Sequence, residues 1–96
     1  MFLRIARSHA QPGSLSQSQI DSLNKDILAA LKRAPGFQHS YQATDMDGGH
    51  AVVISVWDTK EHAQLDRSSL GDVIGRIRQA GIEIDPPEIY EINAQS

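Results

Sequence analysis

The sequence contains no cysteine. This excludes disulfides, thiolate metal ligands and a cysteine nucleophile, and it fits a cytoplasmic protein. Aromatic residues are scarce: two phenylalanines, two tyrosines and one tryptophan in 96 residues. No basic block is present. Nine Lys and Arg stand against twelve Asp and Glu, a net charge of −3, so nucleic-acid binding has little electrostatic support and is not expected. No apolar run approaches the roughly 20 residues of a membrane-spanning helix. The opening Met1-Phe2-Leu3-Arg4-Ile5-Ala6-Arg7 is too short and too interrupted by arginine for a signal peptide. Repeats and low-complexity tracts are also missing, and the length suits one domain over residues 1–96.

What is present is an ordered series of periodic segments. Residues 2–9 are bulky and partly alternating, a strand pattern that Pro12-Gly13 ends. Ser16 with Gln19, or Ser18 with Asp21, can open a helix with a capping box. Ile20, Leu23, Ile27, Ala30, Leu31 and Ala34 follow at steps of three and four, which places them on one helix face. Asp21 and Lys25 form a favourable i,i+4 pair, and Pro35-Gly36 stops the helix. Phe37, His39, Tyr41 and Ala43 then alternate with Gln38, Ser40 and Gln42, predicting a strand whose wetter face carries the second set. The run from Thr44 to Gly49 supplies a hairpin turn. In His50–Trp57, Val52, Ile54 and Val56 point one way, and Ala51, Val53, Ser55 and Trp57 the other. A strand apolar on both sides needs cover on both. Asp58 or Thr59 caps a second helix, with Glu61 or His62 in the reciprocal position. A break is expected near Ser68 and a new cap at Ser69 with Asp72. Gly81 ends the helical region, and a last strand runs from Glu88 to Asn93.

The order is βαββαβ, which predicts an α+β, ferredoxin-like antiparallel sheet with helices on one face. Such a sheet leaves its other face bare, and here that face is apolar on the third strand. Packing two sheets face to face covers it, so a homodimer with a closed α+β barrel is expected. Val53→Asp should then split the dimer or unfold the chain.

The Pro35-Gly36-Phe37 helix ending, the hairpin, and the junction Ser55-Val56-Trp57-Asp58-Thr59-Lys60-Glu61-His62-Ala63 resemble the antibiotic-biosynthesis-monooxygenase-like family. The resemblance implies a dimeric α+β barrel. It also implies either cofactor-independent oxidation of polycyclic phenols or haem degradation. The haem-degrading relatives use an asparagine on the first strand, and a tryptophan and histidine in or after the second helix. This chain has no asparagine between Met1 and His9, its tryptophan is at a strand end, and no histidine follows His62. Haem is therefore not expected.

Several residues carry paired readings. His39 and Tyr41 share a strand face. They are either a pocket pair, with His39 taking a proton from a phenolic substrate and Tyr41 holding that substrate, or an exposed histidine beside a rim tyrosine. Trp57 either walls a planar ligand or packs between sheet and helix with its N–H bonded nearby. His62, in a helix's first turn, is either a neutral base favoured by the helix dipole or a cap. His50 borders the hairpin. Arg4 and Arg7 lie on opposite faces of the first strand, as anion anchors or as snorkelling surface residues. Gly71 and Gly75 allow close helix packing. The four histidines lack carboxylates at ligand spacing, so no metal site is expected.

Two functions follow. One is a cofactor-independent monooxygenase acting on a small aromatic or quinol substrate in the barrel cleft, with His39 and His62 as bases and Tyr41 and Trp57 against the substrate. The alternative is a non-catalytic dimeric domain that binds a small apolar molecule or serves assembly, which the low aromatic content favours.

Overall fold

The computed structural model describes residues 1–65 and 70–96. Strand β1 (Phe2–His9) leads to helix α1 (Gln17–Arg33), strands β2 (Phe37–Asp45) and β3 (His50–Trp57), and the short helix α2 (Lys60–Ala63). Helix α3 (Val73–Gln79) and strands β4 (Glu83–Ile84) and β5 (Glu88–Glu91) complete the chain. All pairings are antiparallel, in the order β2-β3-β1, with β4 and β5 sharing the far edge of β1. This is the ferredoxin-like arrangement the element order predicts, with one addition. β4 pairs Ser8–His9 while β5 pairs Phe2–Ile5, so the expected single closing strand is two short ones. The reset between them is Asp85-Pro86-Pro87, which cannot supply consecutive ladder donors.

Ser16 is the α1 cap. The Gln19 N–H donates to Ser16 Oγ (3.2 Å), and the Ser16 N–H donates to Gln19 Oε1 (2.8 Å), which satisfies two free donors of the first turn. Asp21 accepts from Gln17 rather than pairing with Lys25. Gly81 ends α3 at φ +84°, with its N–H on Arg78 O and the Ile82 N–H on Ile77 O. The break expected near Ser68 and the cap at Ser69 lie outside the described residues, and the Asp72 side chain makes no capping bond. Gly71 and Gly75 have open space where a Cβ would stand, so close helix packing is not their role.

Register sorts the sheet into rows. On the helix-facing side they read Phe37–Trp57–Phe2, Ser40–Ser55–Arg4–Ile89, Gln42–Val53–Ala6 and Thr44–Ala51–Ser8. On the open side they read His39–Val56–Leu3–Tyr90, Tyr41–Ile54–Ile5–Glu88, Ala43–Val52–Arg7 and Asp45–His50–His9–Glu83. The core is at the wide end of the first side: Leu31, Ala34, Trp57, Ala63 and Leu65, packed by Phe2, Ile27, Phe37, Val53 and Ile89. Phe37 meets Trp57 edge-to-face at 5.6 Å.

Two sequence expectations are corrected here. A bulge at Gln38 sets two β2 residues against one of β3. Phe37 therefore faces the helices while His39, Tyr41 and Ala43 face away. The polar set is the drier one: Ser40 and Gln42 are half-buried, and Tyr41 is 66% exposed. Val53 packs against the helix layer, so Val53→Asp probes the core and not the open face.

Candidate functional site

The helix-facing rows taper. Along β1 the side chains are Phe2, Arg4, Ala6 and Ser8; along β3 they are Trp57, Ser55, Val53 and Ala51. Helix α1 follows the taper at one end only. Its last turns bring small Ala30 and Ala34 with Leu31 onto the aromatic end. Its first turns hold Ile20, Leu23 and Ile27 above Ala51, Ser8 and Thr44, and the space between stays unfilled. The result is a cavity of about 450 Å³, within the usual range for a small-molecule site.

Its wall is largely apolar, with Leu15, Ile20, Leu23, Ile27, Ile77 and Ile82. Asn24 and Thr44 are polar residues of its helix side, while Asp45, His9 and His50, exposed and on the open-side row, border its rim at the hairpin end. Asn24 is anchored, since Gln42 Nε2 donates to its backbone oxygen at 2.9 Å. The hairpin closes one end: the Gly48 N–H donates to Asp45 Oδ1 (3.2 Å) and the Ala10 N–H to Gly49 O (2.8 Å). Gly49, at φ +73°, lies so near Ala10 that a Cβ would collide with its carbonyl. His9 and His50 are register partners and also border a hollow of about 500 Å³ on the open side. His9 Nε2 stands 2.9 Å from Glu83 Oε2.

The four residues singled out by sequence do not meet. His39 and Tyr41 do share a face and touch edge-to-face at 5.9 Å, but on the open side. Trp57 is fully buried, and its Nε1–H donates to Ser55 Oγ at 2.9 Å. His62 sits on α2, capped through its N–H by Thr59 Oγ1, with Nδ1 2.6 Å from Asp58 Oδ1. That hydrogen bond holds the Asp58 carboxyl below its ordinary range. Asp58 and His62 crowd Gly36, whose φ of +82° and lack of a side chain make room for both. None of the four lines the 450 Å³ cavity. Residues that do include His50 and His9 at the strand ends and Asn24 on α1, and only the size gradient along β1 and β3 hints at the space they border. Among the described residues no cluster of His, Asp or Glu is arranged to hold a metal. No described helix is long and apolar enough to cross a membrane.

No family model and no curated protein matches the sequence. Solved structures do match the fold. A Deinococcus radiodurans protein provisionally termed an antibiotic biosynthesis monooxygenase superposes with a TM-score of 0.76 at 16% identity, covering 100% of this chain and 96% of that one. SnoaB, a cofactor-independent oxygenase from Streptomyces nogalater, gives 0.73 at 16% identity over 98% and 94%. Rv0793 from Mycobacterium tuberculosis gives 0.69 at 15% identity over 99% and 97%. The chain thus has the fold of the antibiotic-biosynthesis-monooxygenase-like proteins, and at these identities the likeness is one of fold.

Proposed function

We propose that the chain is a cofactor-independent monooxygenase that oxidises a small aromatic or quinol substrate. The observation that carries this reading is the largely apolar cavity of about 450 Å³ under α1, with the exposed His9 and His50 at its rim. The fold shared with a cofactor-independent oxygenase supports it. A base first removes a proton from the phenol. The resulting electron-rich anion then reduces oxygen itself: a ring CH₂ of the keto tautomer becomes C=O, and the second oxygen atom leaves as water with both hydrogens. Four electrons pass from substrate to O₂, and no other reductant is needed.

Histidine is the side chain matched to that proton transfer near neutral pH. Three histidines are candidates. His50 is exposed at the rim of the cavity. His39, with Tyr41, would serve a substrate held on the open side once a second copy covers it, and His62 stands on α2 near Trp57. We further propose that this second copy is present and that the protein is a cytoplasmic homodimer. The test is oxygen consumption with an anthrol and a naphthoquinol by the wild type and by His50→Ala, His39→Ala and His62→Ala. One variant should lose most of its turnover with fold intact.

A specific observation also favours the alternative, a dimeric small-molecule-binding domain without catalysis: the named residues are distributed over three separate places. If the cavity binds aromatics but no compound is oxidised, that second reading holds.

A further inference from the structure

Arg4 is the one strongly polar side chain that β1 sends toward the helices. Its register partners are Ser55 and Ile89, and the row continues to Ser40. Arg4 Nε is buried and has no hydrogen-bond partner, and neither has buried Ser40 Oγ. Ser55, fully buried between them, already accepts from Trp57. Among the described residues no carboxylate pairs with Arg4, whereas Arg7 on the other face has Glu88 at 2.9 Å. Burial pushes the Arg4 pKa down, yet a guanidinium keeps its proton in a protein. A half-buried cation whose Nε is shut off from water without a partner is costly unless something completes it. Val53, the next residue on this face of β3, lines the cavity. Arginine's side chain is long enough to cross from one row to the next.

We infer that Arg4, with Ser40 as a second donor, anchors an anionic oxygen of the ligand, a carboxylate or an ionised phenol, that extends from the cavity into this polar row. The inference rests on the cavity being the ligand site, and it narrows the ligand to one with an acidic oxygen beside its apolar body. An arginine fork holds such an oxygen with charge-assisted hydrogen bonds, while a neutral ligand leaves the charge uncompensated.

Trp57 reports on the row, because it is the sole tryptophan and its indole N–H is bonded to Ser55. The experiment titrates 2-naphthoate and its neutral analogue 2-naphthamide into the ¹⁵N-labelled protein and follows the Trp57 indole signal. Naphthoate should bind about tenfold or more tighter. Arg4→Met should abolish that preference, keep the naphthamide affinity and melt no lower than wild type, since it removes a half-buried charge that has no partner. Ser40→Ala should weaken naphthoate alone. Equal binding of the two compounds by the wild type overturns the inference and leaves the cavity reading standing. An Arg4→Met protein that fails to fold, or that retains the preference, overturns it too. If neither naphthyl compound binds, the cavity reading falls. Formate then decides: a wild-type indole shift that Arg4→Met lacks keeps the anion site, and no shift ends it.

Discussion

Asp58 and His62 show how a short motif can be legible while its role is not. Residues four apart at a strand-to-helix junction were bound to come close, and they do, at 2.6 Å. Nothing in the local pattern signals that the pair sits apart from the cavity, because that depends on which end of the sheet tapers. Its consequence for stability is definite in sign. The His62 hydrogen bond holds the Asp58 carboxyl lower in the folded chain than in the unfolded one. Such a group adds stability that is full above the unfolded value, and the gain is lost as pH falls through the folded value. Asp58→Asn should therefore melt below the wild type at pH 7, and the gap should close as pH falls below about 4. Thermal melts of both proteins from pH 7 to 2 check this. Parallel curves would mean that the pair contributes nothing. The gap will be small, since both side chains are well exposed.

At the scale of elements, the helices read most clearly. The capping box of α1 and its three-four apolar spacing are local signals, and both are met. Ser16→Ala removes the acceptor for the Gln19 N–H and should cost about 1 kcal/mol, measurable by urea denaturation. Loss of less than a few tenths would show that water replaces the cap. Strand β2 read less well, for a physical reason. Alternation fixes faces only while the register is unbroken, and one bulge residue, Gln38, moves Phe37 to the side opposite His39. Ser40 and Gln42 then face the helices. Gln42 is accepted there because Asn24 supplies a partner, a contact 18 residues away that no local pattern reveals. β4 was missed because two residues carry no periodicity; only pairing with Ser8 and His9 defines it.

For the molecule as a whole, the bare side of the sheet is the feature that assembly must answer. Half-buried Leu3, Ile5, Val52 and Ile54 form its centre beside buried Val56, and Tyr41 and Tyr90 on the same side are more than half exposed. Among the described residues the core-forming helix contacts are on the other side. β3 parity made the existence of two apolar sides legible, while assigning each side needed the helices in place. Ile54 and Val53 are adjacent residues on opposite sides, which makes them a matched pair of probes. In a lone subunit, Ile54→Asp puts a carboxylate at a wettable surface and costs little. Between two sheets it buries an unpaired charge, which is prohibitive. Val53→Asp places the same charge under α1 in either case. The proposed dimer therefore predicts three distinct behaviours: wild type sedimenting at twice the chain mass, Ile54→Asp a folded monomer with an unchanged circular dichroism spectrum, and Val53→Asp unfolded. A wild type at the monomer mass, or an Ile54→Asp variant that still dimerises, would place the second copy somewhere other than this sheet face, and with it the role proposed for His39 and Tyr41 would go.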